Sequence, residues 1–437
     1  MKRRDLLKLS AGVAATACLG ASTTILASSN SSLSKNLQPN NRTPNGADFD
    51  AILQQPVLKR DLFKTPVTIE KLELLNKDDE FIVRVTDKEG RQGLSLCNSR
   101  RADSAWPMIL TLVKPTFEGK DARDLEALLH EVYITSPNYK FQGLAFWSCV
   151  AWVEIAILDL LGKIAKLPLW ALIGEKQREK IGLYHANGDR KNSAEWVIRK
   201  LESLLEESGA RALKYKLGAR MHYTEASTAR DKKLIPGVRK HFGDDVTLYA
   251  DANGSYDIPM SLYMGKMLEE HDYGFFEEPV PFDYLEETKA VTDQLAITVA
   301  GGEQETSMWR FKWLIANRAL TLVQPDLIYF GGLIRSMRVA RMAQLAGLPC
   351  VPHISGLGLG QLYMAHFVTA LPNTTDFQEY KGDRDKVPYV LSGTNKRYKA
   401  KDGYINAPQG VGLGITFDPE YIAEMKEITS SIPSQLS

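Results

Sequence analysis

Residues 212–218 read "ALKYKLG". In a strand alternate side chains share a face, so Lys214 and Lys216 point the same way inside an otherwise apolar run. Two adjacent ammonium groups raise each other's cost of ionisation. A solvated edge strand is the plain explanation of such a pair. The rest of the chain supplies another.

Seven more short apolar runs accompany this one: "IGLYHAN" (181–187), "VTLYADAN" (246–253), "YGFFEEP" (273–279), "AITVAGGE" (296–303), "LTLVQPD" (320–326), "LPCVPHI" (348–354) and "TTDFQEY" (374–380). Amphipathic helical stretches such as "IPMSLYMGKMLEEH" and "LIRSMRVARMAQLA" lie between them. Alternating strands and helices imply an α/β fold with a parallel sheet, and eight such runs suggest a closed barrel. Polar residues end most of the runs: Lys216, Asp251, Glu277, Glu303, Asp326, His353 and Glu379, at steps of 35, 26, 26, 23, 27 and 26 residues. A step near 26 is about one strand, one helix and two loops, so these groups fall at the same place in successive units. That place is the C-terminal rim of the barrel, where active sites of the fold sit. A single carboxylate there reads as a helix N-cap, but that does not explain all seven at one phase. The two lysines belong to this ring and face its carboxylates.

Asp251, Glu277 and Glu303 end three consecutive strands and should converge. Three buried anions need a compensating cation. Oxygen-only ligands favour a hard ion, Mg²⁺ before Mn²⁺. Lys216 lies to one side of this triad in strand order and His353 to the other. Asp326, one strand before His353, is placed to fix the tautomer of the imidazole. Lys214 and the ion together would lower the pKa of Lys216 and make a neutral amine base. Two bases facing each other across a metal suit removal of a proton from the carbon next to a carboxylate, with the enediolate stabilised electrostatically. Glu379, if protonated, could donate a hydrogen bond to that intermediate.

The composition sets the outer limits. The 437 residues are 44% hydrophobic and 24% charged, with 54 basic against 53 acidic side chains. A net charge of +1 recruits no nucleic acid and no charged membrane. Four scattered cysteines give neither a disulfide framework nor a zinc site. The start, "MKRRDLLKLSAGVAATACLGAS", couples Arg3 and Arg4 to a short apolar stretch. It predicts a twin-arginine signal over residues 1–27, hence the twin-arginine export machinery as a partner and a periplasmic, folded-before-export protein. Cys18 in "ATAC" is a weak lipoprotein acceptor, with Ala15 in place of leucine three residues before it. Residues 28–65, rich in Ser, Asn, Gln and Pro, read as a flexible linker without a core. Residues 66–180 read as strands followed by helices, a small α+β domain, with a hairpin turning at "DKEG".

The ordered set of motifs resembles the enolase superfamily, mandelate racemase subgroup (mandelate racemase/muconate lactonizing enzyme-like), over essentially everything after residue 66. The matching features are K-x-K at Lys214 and Lys216, D-x-N at Asp251 and Asn253, "EEP" at Glu277 to Pro279 and "GGE" at Glu303. "QPD" at Asp326, "PH" at His353 and "QEY" at Glu379 complete it. The resemblance implies a modified (β/α)₇β barrel over 181–399, with a capping α+β domain completed by about residues 400–425. It further implies an essential Mg²⁺ and Glu277 rather than Glu278 as the ligand of its strand. Acid-sugar dehydration is a common activity among relatives with this set, with racemisation, epimerisation and cycloisomerisation as alternatives. An exported acid-sugar binding protein would need neither Lys216 nor the Asp326–His353 pair. A Schiff-base role for Lys216 sits badly with the carboxylate triad.

Specificity is expected from the cap. The loop "LLNKDDE" is short, and "CNSRRADSAW" offers Arg100 and Arg101, with Asn253 from the barrel, as substrate-binding candidates. A small-molecule carboxylate is the expected ligand, and a homo-oligomer, of unspecified order, the expected assembly.

Overall fold

The computed structural model describes residues 44–429 apart from 356, 357, 384 and 385. The predicted signal and Cys18 lie outside these residues.

The cap begins with an antiparallel meander, β1 (Ile69–Lys77), β2 (Glu80–Asp87) and β3 (Gln92–Leu96). The β1–β2 turn is only Asp78–Asp79, with Asp78 at φ +56. At the predicted "DKEG" turn Gly90 takes φ +77, a conformation glycine adopts without strain. The helix Leu144–Ala165 lies on this sheet and is buried along almost all its length, Phe146 to Gly162. Gly93 permits the close approach, because a Cβ there would stand 2.0 Å from the Ala156 carbonyl oxygen. Asp159 of the same helix accepts from Leu94 N (3.0 Å) and Leu413 N (2.8 Å), tying the cap sheet to the C-terminal stretch.

The barrel follows, as β4 (Lys180–Ala186), β5 (Ala212–Lys216), β6 (Thr247–Asp251), β7 (Phe275–Glu277), β8 (Thr298–Gly301), β9 (Leu322–Val323) and β10 (Phe377–Tyr380). They pair in parallel in the order β10-β4-β5-β6-β7-β8-β9, with a helix after each of the first six. The run at 348–354 takes the next place through isolated parallel bridges, Val323 to Cys350 and Asp326 to His353, rather than a full ladder. Pro349 and Pro352 have no N–H to give, which is reason enough. The helix Leu359–Ala370 then leads to β10, giving the (β/α)₇β order.

Two boundaries differ from the sequence expectation. The stretch 44–65 is not a coreless linker. Asn45 caps a helix, Gly46–Gln54, and Phe49, Val57, Leu58 and Phe63 are buried. The backbone N–H groups of Val57 and Leu58 both donate to Glu126 Oε1 at 2.8 Å, and the helix packs on the helix Leu333–Leu345. A polar composition masked a sparse but periodic apolar set. The C-terminal completion of the cap, expected over about 400–425, runs on to 426–427: after β11 (Tyr389–Leu391), β12 (Tyr404–Asn406) and β13 (Ile415–Phe417), β14 (Lys426–Glu427) joins β1. β12 instead runs antiparallel to β4, and β11 pairs with β13.

Candidate active site

The parallel register places Lys216 beside Asp251 and Asp251 beside Glu277, so three chemistry-bearing side chains leave their strands at one level. Glu303 follows β8 through Gly302 at φ +107, where a Cβ would stand 2.7 Å from the Phe311 ring. One oxygen from each of Asp251, Glu277 and Glu303 lies within 4.8 Å of the other two, and all three residues are buried.

The two lysines divide. Lys214, 1% exposed, donates to both oxygens of Glu277 (2.9 and 2.7 Å) and lies 3.0 Å from Glu379 Oε1. Burial by itself would lower its pKa, but the Glu277 and Glu379 carboxylates outweigh burial and hold it well above the usual lysine value. It is a fixed ammonium beneath the site and does not line the cavity above. Lys216 does line that cavity and is ion-paired with Asp251. The crowding of charge read from K-x-K is thus relieved, since each ammonium has its own carboxylate partners.

On the far side, His353 Nδ1 is 2.6 Å from Asp326 Oδ2. Asp326 is itself immobilised, its other oxygen accepting from Ile328 N (2.8 Å), Tyr329 N (2.7 Å) and Ser355 Oγ (3.0 Å). The carboxylate fixes the Nδ1–H tautomer and turns Nε2 to the cavity. There Nε2 is 3.1 Å from Glu303 Oε2, 3.1 Å from Lys381 Nζ and 3.6 Å from Glu379 Oε2. Burial would lower the imidazole pKa, but Glu303, aided by Glu379 and Asp326, raises it, against Lys381.

Glu379 is corrected. Burial favours its neutral form, yet Lys214, Lys381 and His353 hold its pKa well below the usual carboxylate range. It accepts from Ile354 N at 3.1 Å and pairs with Lys381 at 3.0 Å. These neighbours favour the ionised acceptor over the protonated form on which its conditional donor role rested.

Lys381 itself was missed. It lies one residue past the end of β10, where strand alternation no longer fixes the direction of a side chain. Gln324 of "QPD" was also passed over, and its Nε2 donates to Glu277 Oε2 at 2.8 Å. Among the proposed substrate contacts, Arg100 lines the cavity with an exposed side chain. Arg101 lines it too, and its Nε donates to Tyr329 OH at 3.1 Å. Asn253 also borders the cavity, but its amide is engaged with carboxylates and an arginine. Glu278, at φ +42, is buried yet borders the cavity, 3.4 Å from the Asn253 amide.

The cavity between cap and barrel has a volume of about 1260 Å³. Glu80 and Leu96 of the cap line it together with Lys216 and His353 of the barrel. Ligand cavities commonly span roughly 300–1,000 Å³, so it accommodates more than a single small acid.

The donor set fits a divalent cation. Burial and the Asp251 charge push Glu277 up to about 8 even with Lys214 bonded to both its oxygens. Burial and the neighbouring carboxylates raise Glu278 well above the usual range, and its Oε1 has no hydrogen-bond partner among the described residues. The local ammonium groups therefore do not balance the negative charge. Three converging carboxylates with cavity on one side are the donor chemistry of a hard, oxygen-liganded ion.

A (β/α)₇β barrel with an α+β cap, a carboxylate triad at the C-terminal rim, and Lys216 and His353 on the flanking strands defines an enolase-type lyase or isomerase architecture. Residues 196–421 match the model of the enolase C-terminal domain-like family, and the chain belongs to that family. It is 29% identical over 329 residues to an arabinonate dehydratase from Saccharolobus solfataricus, covering 74% of this chain and 84% of that one. With a D-galactonate dehydratase from Klebsiella pneumoniae it shares 27% over 338 residues, 71% of this chain and 86% of the relative. A mandelate racemase/muconate lactonizing protein from Paracoccus denitrificans, solved in complex with magnesium, superposes with a TM-score of 0.76. The two are 26% identical, over 83% of this chain and 99% of that one.

Proposed function

We propose that the chain removes the proton α to the carboxylate of an acid sugar and expels the β-hydroxyl, leaving a 2-keto acid. The observation that carries this is that Lys216 and the Asp326-held His353 line one cavity, on strands either side of those that bear the carboxylate triad. Asp251, Glu277 and Glu303 would hold Mg²⁺, with Mn²⁺ as a substitute; the ion supplies electrostatic stabilisation of the charge that develops on the substrate carboxylate. Lys216 or His353 takes the α-proton, depending on the configuration of the substrate. The electron pair left on the α-carbon forms the enediolate and then the new C=C as the β-hydroxyl leaves. The opposed group gives the leaving oxygen its proton, so water departs, and the enol tautomerises to the keto acid. Glu379, held ionised, accepts a substrate hydroxyl or orients Lys381 rather than protonating the intermediate.

The arabinonate and galactonate dehydratases among the relatives support the substrate class. Reprotonation by the opposed base would give epimerisation instead. A relative named as a D-galactarolactone cycloisomerase, from Agrobacterium fabrum and 25% identical, keeps ring chemistry as the second reading. A Mg²⁺-supplemented screen of aldonates, aldarates and their lactones, following 2-keto acid formation, tests the proposal. Lactone isomerisation without keto acid would select the second reading.

The enzyme is proposed to work in the periplasm as a homo-oligomer after twin-arginine export. Replacing Arg3 and Arg4 with lysine should leave precursor in the cytoplasm, and unchanged export would exclude that route.

A further inference from the structure

Asn253 follows Asp251 by two residues and holds φ +43, a conformation asparagine tolerates better than most residues. Its backbone is pinned at both ends of the residue. The N–H donates to Asp251 Oδ1 at 2.7 Å, and the carbonyl accepts from Met221 N at 3.0 Å. The amide nitrogen then lies among three carboxyl groups, 3.3 Å from Asp251 Oδ2, 3.3 Å from Glu303 Oε1 and 3.4 Å from Glu278 Oε2. These are long contacts: two N–H groups are shared among three carboxylates rather than spent on one.

The amide could turn over. Its carbonyl oxygen would then face the same three carboxylates, a repulsive arrangement, so something must define which end points inward. Arg190 does so from the loop after β4. A terminal guanidinium nitrogen is 2.5 Å from Asn253 Oδ1, and its Nε donates to the Leu217 carbonyl at 3.2 Å. The Arg190 carbonyl is held in turn by Arg230 at 2.5 Å, and Arg230 is paired with the buried Asp231 at 2.7 Å. The chain Arg230–Arg190–Asn253 thus ends on two carboxylates of the triad.

We infer that Arg190 is a positioning residue of the carboxylate centre. By fixing the amide of Asn253 it holds Asp251 and Glu303 at the separation at which they receive a divalent ion. The inference rests on reading the triad as a cation site. It also explains why Asn253 borders the cavity while its amide is directed at protein groups. A merely structural Arg190 would instead brace the β4 and β5 loops through Leu217, and its loss would lower stability without touching ion affinity. Outer-sphere partners of metal ligands characteristically change affinity by roughly 10- to 100-fold when removed.

The test is titration of the full-length mature chain with Mn²⁺ alone, reading free ion by electron paramagnetic resonance, beside thermal unfolding in chelator. Arg190→Gln should raise the Mn²⁺ Kd roughly 10- to 100-fold with little change in the unfolding temperature in chelator. Arg190→Lys should recover part of the affinity, since an ammonium can still donate to Asn253 Oδ1. Should Arg190→Gln not fold, Asn253→Ala removes the same amide while leaving Arg190 on Leu217, and the same loss of affinity is expected. Wild-type affinity in Arg190→Gln, or in Asn253→Ala, would overturn the inference. A wild-type chain that takes up no Mn²⁺ would overturn the cation reading, and this inference with it.

Discussion

Lys214 and Glu277 form a closed buried pair: the ammonium donates to both carboxylate oxygens, at 2.9 and 2.7 Å, with neither side chain more than 1% exposed. Lys216, two residues on, faces the cavity instead. The K-x-K pair therefore combines a buried counter-charge with a cavity-facing side chain.

The two lysines should fail differently when replaced. Lys214→Met strands Glu277 and Glu379 without their shared cation, and breaking a buried pair costs about 3–5 kcal/mol. Lys216→Ala also takes a partner from buried Asp251, but at the edge that opens to the cavity, so it should cost less than Lys214→Met yet remove turnover of any substrate whose α-proton faces it. Chemical denaturation and steady-state kinetics on both variants check the division; a stable, active Lys214→Met would refute it.

Asp326→Asn should retain the fold but weaken His353. An amide can still accept from Nδ1–H, but it can also turn its NH₂ to the ring and stabilise the wrong tautomer, and it no longer stabilises the imidazolium. The expected loss is on the order of a hundredfold or more in kcat with a smaller change in KM. An unchanged kcat would show that His353 is not an acid–base group.

How much of this was legible in the sequence depended on spacing. The seven rim residues announced themselves because each barrel unit repeats near 26 residues, so ionisable groups at one phase must meet at one rim. Arg190 and Lys381 were not read, because each lies just beyond a strand in a loop, where no periodicity predicts where a side chain points. The helix Gly46–Gln54 was lost for a different reason. Its residues Phe49, Ile52 and Leu53 carry the helical pattern, but they sit within a stretch whose Ser, Asn and Pro content dominates a composition-based reading. The ionisation of Glu379 could not be read at all, since it depends on three cations brought from β5, the 350–353 segment and its own strand end.

The cap sheet carries its own pH dependence. Arg84, donating to Glu73 at 2.7 and 2.8 Å, together with Lys71 lowers the Glu73 pKa from 4.5 to about 2 against its burial. A carboxyl depressed in the folded state stabilises above its unfolded value and loses that contribution as pH falls through the folded one. The difference corresponds to roughly 3 kcal/mol, complete above about pH 4.5 and fading towards pH 2. Glu73→Gln should accordingly unfold at a clearly lower temperature than wild type at pH 7. The gap should narrow steadily below pH 4.5, as thermal melts across that range would record. A gap independent of pH would mean that the carboxylate charge contributes nothing.

The central claim is abstraction of an α-proton by opposed bases, and proton exchange in D₂O followed by NMR tests it most directly. With Mg²⁺ and an acid sugar bound, wild-type protein should wash deuterium into the α-position or convert the substrate. Lys216→Ala should stop exchange from one α-epimer and His353→Asn from the other, because each base reaches only its own face. Where hydroxide loss follows, both changes stop net turnover while one still permits exchange. Tight binding of an acid sugar by wild-type protein, with no α-proton exchange and no product, would contradict the account and make the ring a receptor.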